Sequence, residues 1–178
     1  MKKQAYFAGG CFWCMQPAFD RTPGVVRTAV GFTGGSLANP SYEQVCTGST
    51  GHFEAIEVEY DPAIVTFGDL IDVFWRNIDP TQVDGQFADR GSHYRTAIFY
   101  SDAEEQELAE ASVRELDASG KFAAPIATMI LPAKPFYPAE DYHQRYYQKS
   151  AAHYESYKHG SGRAGFIQKN WGQKNWGK

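Results

Sequence analysis

The stretch Ala5-Tyr6-Phe7-Ala8-Gly9-Gly10-Cys11-Phe12-Trp13-Cys14 joins a predicted strand to a predicted helix through two glycines. The apolar residues before the glycines favour a strand, and the pattern that runs on to Asp20 favours a helix. A cysteine at a helix N-terminus lies near the positive end of the helix dipole and near free N–H groups, which stabilise a thiolate. We therefore predict that Cys11 is a nucleophile with a lowered pKa.

Cys14 follows Cys11 by three residues, which is about one helical turn on the same face. That spacing puts the two Cα atoms about 5–6 Å apart, within the range that a disulfide spans. The pair is therefore interpreted as an attacking cysteine with a resolving cysteine beside it.

Two other interpretations of the cysteines compete with this one. Free cysteines are often small buried hydrophobic residues, which suits Cys46 better than a cysteine that follows two glycines. A zinc site would have to combine Cys11, Cys14, Cys46 and His52, because the chain has no second CxxC and no HxxxH pair. We place redox or nucleophilic use first, structural use second and zinc last, and expect no metal.

Composition indicates one globular domain without a nucleic-acid footprint. The chain has 178 residues, of which 43% are hydrophobic and 21% charged, and its formal net charge is −4. No segment has the pattern of a secretory signal or a membrane span. Three cysteines fit a reducing compartment better than a secreted disulfide scaffold, so we expect a cytoplasmic protein.

The predicted element order is β-α-β-β-α-β followed by α-β, which favours a two-layer α+β domain of split βαβ type with long loops. The predicted strands are 4–8, 25–32, 53–60, 96–100 and 126–131, and the predicted helices are 11–20, 66–78, 101–119 and 141–157. The third helix should begin with a capping box of Ser101 and Glu104. Long loops are expected at 33–52 and 79–95. We expect a catalytic domain over 1–158 and an irregular tail over 159–178, which repeats Gln-Lys-Asn-Trp-Gly and packs on the domain or frays after Trp171.

Glu54 is an unexpected residue in its strand. The alternation of residues 53–60 places it with Ile56 and Val58 on the more apolar face. Burial there would raise the carboxyl pKa and keep an acid that can donate a proton near neutral pH. A partly buried glutamate that bonds His52 or the loop explains the pattern equally well.

The two long loops add polar groups that could join the site, namely Tyr42, Asp89, His93, Tyr94 and Arg95. Each of them alone suits a turn or a surface position just as well.

Eight ordered blocks of the sequence carry a resemblance to a known family. They are Gly10-Cys11-Phe12-Trp13, Gly31-Phe32-Thr33-Gly34-Gly35, Asn39-Pro40-Ser41-Tyr42, Gly51-His52-Phe53-Glu54, Asp79-Pro80-Thr81, Asp89-Arg90-Gly91, Tyr94-Arg95-Thr96-Ala97-Ile98 and Phe136-Tyr137-Pro138-Ala139-Glu140-Asp141-Tyr142-His143-Gln144. Together they cover roughly residues 4–158 and resemble peptide methionine sulfoxide reductase A.

The resemblance implies a ferredoxin-like α+β roll that reduces the S epimer of methionine sulfoxide, free or in oxidised proteins and peptides. It implies no cofactor other than an external dithiol such as thioredoxin, and we expect a monomer that binds neither nucleic acid nor membrane. The implied roles are nucleophile for Cys11, apolar wall for the substrate methyl for Phe12 and Trp13, acid for Glu54, hydroxyl donors for Tyr42 and Tyr94, and supporting polar group for Asp89.

The chain departs from the commonest family pattern around its cysteines. Many relatives have glycine where Cys14 stands and keep resolving cysteines in the C-terminal tail, whereas this chain has no cysteine after Cys46. Cys14 resembles the second cysteine of the GCFWC variant of the family, which resolves the sulfenic acid that the reaction leaves on the nucleophilic cysteine. Cys46 is the alternative resolving residue.

Two other functional classes explain part of the sequence. A thioredoxin-like disulfide oxidoreductase would use a cysteine pair, but the motif Trp-Cys-x-x-Cys is absent. Such an enzyme also has no need of the acid Glu54 and the hydroxyl donors Tyr42 and Tyr94. An aromatic-rich binding module would explain the 11 tyrosines and 12 phenylalanines, but not a cysteine after Gly-Gly at a helix start.

Overall fold

The structure is a computed structural model that describes residues 1–172 of the chain. The strands are β1 (Lys3–Gly9), β2 (Val25–Thr33), β3 (Phe53–Tyr60), β4 (Gly85–Gln86), β5 (Asp89–Arg90), β6 (Thr96–Tyr100), β7 (Met129–Pro132) and β8 (Tyr137–Pro138). The α-helices are α1 (Phe12–Asp20), α2 (Tyr42–Cys46), α3 (Phe67–Trp75), α4 (Ala103–Ala118), α5 (Tyr146–Lys149), α6 (Ala151–Gly160) and α7 (Arg163–Trp171), and 3₁₀ turns lie at Ser92–Tyr94 and Asp141–His143. None of the helices within these residues has the length and apolar character that crossing a membrane requires.

Six strands form the main sheet in the order β7-β6-β1-β3-β2-β8. Strand β1 is central and pairs antiparallel with β3 and β6, while β7 runs parallel to β6. Strands β4 and β5 form a separate short hairpin. The mixture of a central sheet with packed helices confirms the predicted α+β class.

The main core lies between one face of the sheet and helices α1, α3 and α4. Its centre is the Phe7 ring, which stacks on Phe19, Phe67 and Phe74 at centroid distances of 5.2, 6.0 and 5.4 Å. Aromatic pairs at such distances add stability beyond their buried area. This cluster fixes α1 over the sheet and so positions the turn that precedes it.

Strand β3 has the predicted alternation. Ile56 and Val58 enter the main core under the helices, whereas Phe53 and Ala55 pack with a smaller cluster on the opposite face of the sheet. Glu54, the second residue of β3, therefore lies on the helix side of the sheet, where it is 2% exposed.

The structure contains one helix that was not predicted and one that begins later than predicted. The predicted loop over 33–52 contains α2, whose capping box joins Ser41 to Gln44, a local signal that the loop assignment overlooked. The N-cap of helix α4 lies one residue later than predicted, because Asp102 rather than Ser101 caps the helix and accepts a hydrogen bond from the Glu105 amide. The carboxylate that reaches back to Ser101 N belongs to Glu105, not to Glu104.

The C-terminal part is more ordered than predicted. The single helix predicted over 141–157 is a 3₁₀ turn followed by α5 and α6, with a break at Arg145, whose φ is +51°. The prediction of an irregular tail is wrong as far as Trp171, because α7 is helical and packs on the domain. The second repeat, over 173–177, lies outside the described residues, and the domain boundary at 158 stays a prediction.

The two glycines before Cys11 are required by close contacts. A Cβ at Gly9 would lie 2.4 Å from Met15 Sδ, and a Cβ at Gly10 would lie 2.5 Å from the Gln86 Cβ. Gly10 also has a φ of +81°, a conformation that side chains with a Cβ rarely adopt. The turn that presents Cys11 therefore depends on glycine at both positions.

We predict that Gly10→Ala lowers the free energy of unfolding by at least about 1–3 kcal/mol, the usual cost of a strained backbone conformation. The matched control is Gly160→Ala, because a Cβ at Gly160 would meet nothing within 4 Å. Urea unfolding followed by circular dichroism measures both. Equal unfolding midpoints for the two variants would contradict the assigned role of Gly10.

Candidate active site

Cys11 and Cys14 lie side by side at the start of α1. Cys11 is the N-cap residue, and the Cys14 amide donates to the Cys11 carbonyl over 3.1 Å. Both are free thiols, and they are only 6% and 3% exposed. The structure thus brings the two predicted cysteines together in a buried pocket, with the Tyr154 ring packed against them.

Glu54 lies beside this pair. One carboxyl oxygen accepts a hydrogen bond of 3.1 Å from the Phe12 amide. Burial raises the pKa of Glu54 to about 8, with a smaller contribution from the charge of Asp89, while the Phe12 amide opposes the rise. The competing interpretation of Glu54 as a partner of His52 does not hold, because His52 accepts from Gly35 N and bonds the Leu37 carbonyl. Glu54 is therefore a neutral acid at neutral pH.

The pKa values of the two thiols differ in the opposite sense from the prediction, because Cys14 rather than Cys11 has the lowered pKa. Burial and the hydrogen bond to Cys14 raise the pKa of Cys11, whereas the bond from Cys11 lowers the pKa of Cys14 to about 7. The physical reason is that burial disfavours the Cys11 thiolate, and that the Cys11 side chain makes no capping bond at the helix start. The pair shares one proton in its half-ionised state.

Arg163 is a site residue that sequence reasoning missed. Its side chain extends from α7 into the core, is 1% exposed, and donates to the carbonyls of Gly9 over 3.0 Å and Asn77 over 2.7 Å. The guanidinium also lies over the Phe87 ring, 4.7 Å from its centroid. No local pattern marked this arginine, which stands in the segment interpreted as a tail.

The predicted hydroxyl donors Tyr42 and Tyr94 lie within electrostatic reach of Glu54 and Cys11. Burial raises the pKa of both tyrosines far above the ordinary range, and the charge of Glu54 adds to the shift. Both therefore keep their protons at every physiological pH. Tyr42 also interacts with the exposed Cys46 thiol.

The predicted apolar wall consists of one fully buried ring and one half-buried ring. The Phe12 ring packs on Phe32 at 5.8 Å, and the Trp13 ring stacks on Tyr146 at 4.0 Å with an interplanar angle of 12°. Trp13 Nε1 donates to His143 Nδ1 over 3.1 Å, so His143 orients the indole. Sequence reasoning quoted His143 within a motif but gave it no role.

Asp89 lies near the same pocket and already has a partner. The Tyr157 hydroxyl of α6 donates to its carboxylate. Tyr157, like Tyr154, comes from the C-terminal helices that sequence reasoning did not place at the site. Within residues 1–172, no three histidine, cysteine or acidic side chains stand together as a metal-binding group.

The arrangement can carry out nucleophilic attack on an electrophilic atom whose leaving oxygen takes a proton. A thiol pair supplies the nucleophile, a neutral carboxyl supplies the proton, and two phenols supply hydrogen bonds. The aromatic wall beside the sulfur suits a small apolar substituent.

Comparisons with known proteins agree with this chemistry. The model of the family described as peptide methionine sulfoxide reductase matches residues 3–175. The chain is 54% identical to peptide methionine sulfoxide reductase MsrA of Bacillus subtilis (strain 168) over 97% of its own length and 98% of that protein.

Solved structures give the same result. Methionine sulfoxide reductase A of Corynebacterium diphtheriae superposes with a TM-score of 0.75 at 40% identity, and the match covers 84% of this chain and 76% of that one. Mxr1 from Saccharomyces cerevisiae in complex with Trx2 has a TM-score of 0.57 at 27% identity, with 82% and 84% covered. On the fold, the site and these matches, the chain belongs to the peptide methionine sulfoxide reductase family.

Proposed function

We propose that this chain reduces the S epimer of methionine sulfoxide, free or in oxidised proteins, to methionine. The observation that carries the proposal is the hydrogen bond from the Phe12 amide to the buried Glu54 carboxyl, which places a neutral acid next to the Cys11 thiol. Repair of oxidised proteins is the corresponding biological role.

Glu54 supplies the proton that the reaction needs. A sulfoxide oxygen is a poor leaving group, so it must be protonated or hydrogen-bonded while negative charge develops on it. Glu54 remains protonated up to a pH of about 8 and donates that proton. The hydroxyls of Tyr42 and Tyr94 stabilise the same oxygen as donors.

Cys11 supplies the nucleophile, and Cys14 assists it. As the Cys11 sulfur attacks the sulfoxide sulfur, its proton passes to the Cys14 thiolate. This attack forms a sulfur–sulfur bond, and the sulfur–oxygen bond of the substrate breaks as Glu54 protonates the oxygen, which leaves as hydroxide. The hydroxide then attacks the Cys11 sulfur, the sulfur–sulfur bond breaks with its electron pair on the departing methionine, and Cys11 remains as a sulfenic acid. The substrate gains two electrons and Cys11 loses two.

Cys14 then resolves the sulfenic acid. It passes the proton that it accepted from Cys11 to the Glu54 carboxylate and attacks the Cys11 sulfur as a thiolate. The disulfide forms, the sulfur–oxygen bond of the sulfenic acid breaks, and the hydroxyl takes that proton from Glu54 and leaves as water. An external dithiol restores the enzyme by thiol–disulfide exchange. The complex of the yeast relative with Trx2 supports a thioredoxin in this role, and we propose no other cofactor.

Substrate recognition falls to the aromatic wall and its surroundings. Phe12 and Trp13 would receive the S–CH₃ group, because an apolar pocket favours it over longer or polar substituents. Asp89, held by Tyr157, would support the polar side of the substrate. We propose that the protein acts as a monomer in the cytoplasm.

The direct test is turnover of the two resolved methionine sulfoxide epimers with dithiothreitol. We expect reduction of the S epimer alone and none by Cys11→Ser, because serine is too weak a nucleophile to replace the thiol. The exposed Cys46 is the matched control, and Cys46→Ser should keep full activity. Reduction of the R epimer, or a tenth of the activity left in Cys11→Ser, would overturn the proposal.

Glu54→Gln should lower turnover by about 10²-fold or more, the range of general acid catalysis. Wild-type turnover should rise as the thiol pair loses a proton near pH 7 and fall as Glu54 loses its proton near pH 8. The variant should lose the falling limb, because the amide has no proton to lose. A pH–rate profile of kcat tests both effects, and an unchanged profile would reassign the acid to Tyr42 or Tyr94.

Cys14→Ser should release one equivalent of methionine per enzyme, accumulate a trappable sulfenic acid on Cys11, and support little recycling by thioredoxin. The reason is that a disulfide requires a second thiol with its Cα within about 7 Å. Mass spectrometry of the wild type after substrate should show a bond between Cys11 and Cys14. A bond from Cys11 to Cys46 would contradict this assignment.

A further inference from the structure

Arg163 is a buried cation with no acidic partner in direct contact. Its guanidinium bonds two backbone carbonyls, and no carboxylate of residues 1–172 lies within 4.0 Å of it. Burying a charge is costly unless nearby groups compensate it. A fully buried arginine of this kind attracts negative charge to its surroundings.

The guanidinium lies against the segment that carries the two cysteines. It bonds the Gly9 carbonyl before Cys11, it contacts Met15 Sδ at 3.8 Å after Cys14, and a Cβ at Gly10 would lie 2.9 Å from it. The cation is therefore packed against both ends of the segment from Cys11 to Cys14.

The groups near Arg163 that can carry negative charge are few. Glu54 is neutral up to a pH of about 8, so it does not balance the cation at neutral pH. The Asp89 carboxylate lies in the same pocket but already accepts a hydrogen bond from the Tyr157 hydroxyl, and the thiol pair loses its first proton near pH 7. The thiolate is thus the natural counter-charge of Arg163.

We propose that Arg163 is a positioning residue whose buried charge stabilises the thiolate of the Cys11–Cys14 pair. This inference rests on the proposed function, in which Cys14 accepts the proton of Cys11 and then attacks the sulfenic acid. Both steps need Cys14 as a thiolate. Arg163 on α7 therefore influences the chemistry through its charge, although it touches neither the substrate nor a reacting sulfur.

Other groups also face Cys14, and their effects on its pKa must be distinguished from that of Arg163. They are the acids Glu54 and Asp89, the cation Lys158, the partner thiol Cys11, and the phenols Tyr154 and Tyr157. Cys11 has the largest effect on the pKa of Cys14, and Lys158 acts in the same direction as Arg163. Lys158 is half-buried on α6, so solvent screens its charge more.

The test titrates Cys14 alone, in the full chain with Cys11→Ser and Cys46→Ser. The serine at 11 keeps a hydroxyl donor for Cys14, and the ultraviolet absorbance of the thiolate reports ionisation. Arg163→Gln keeps donors for the Gly9 carbonyl but removes the charge, and we expect the Cys14 midpoint to rise by about one pH unit. Arg163→Lys keeps the charge and should stay near the original midpoint. Lys158→Gln is the control for a screened cation and should shift the midpoint less than Arg163→Gln.

A purely structural role predicts a different result. If Arg163 only fastens α7 to the turn, the Gln and Lys variants would melt at lower temperature without moving the Cys14 midpoint, and that outcome would overturn the proposal. An equal shift in Arg163→Gln and Lys158→Gln would overturn it as well. Arg163→Met is a second neutral variant if Arg163→Gln does not fold.

The same variants give a kinetic readout in the otherwise native chain. After one turnover at neutral pH, Arg163→Gln should form the disulfide about fivefold more slowly. The reason is that a rise of one unit in the Cys14 pKa lowers the ionised fraction of this thiol from about a half to about a tenth. The rate should recover at higher pH, and Arg163→Lys should match the wild type. The thiol titration uses no sulfoxide, so its failure is distinct from a failure of the proposed function.

Discussion

The hydrogen bond from the Phe12 amide to the Glu54 carboxyl is the contact on which the site depends. It joins the first turn of α1 to the first residues of β3, two elements far apart in the chain. It uses the free amide of the helix start that would otherwise stabilise a Cys11 thiolate. One bond therefore positions the acid beside the nucleophile.

Burial then sets the protonation state of every group in the pocket. A low-dielectric interior favours neutral forms, so Glu54 and the tyrosines hold their protons at neutral pH. The interior can accommodate one anion if a cation lies near it, and Arg163 is that cation. The charge of Arg163 lowers the pKa of both thiols, and the bond from Cys11 lowers that of Cys14 further.

The C-terminal third of the chain completes the site from outside the sheet. The Gln144 side chain bonds both backbone groups of Val30, each over 2.8 Å, and fastens the segment after β8 to the edge of β2. The helices that follow place Tyr146 on Trp13 and Tyr157 on Asp89. These contacts bury the thiol pair, and burial makes its ionisation sensitive to single charges.

Local pattern in the sequence was enough to predict the α+β class, the strand that carries Glu54 on its apolar face, and the cysteine pair one turn apart. Period-two alternation and one-turn spacing depend only on neighbouring residues, which is why they can be read without a structure. Tertiary packing alone decided that Glu54 bonds α1 rather than His52, that Cys14 has the lower pKa, and that Arg163 lies beneath the turn. Each of these depends on which distant groups share a buried volume, and a linear pattern does not record that.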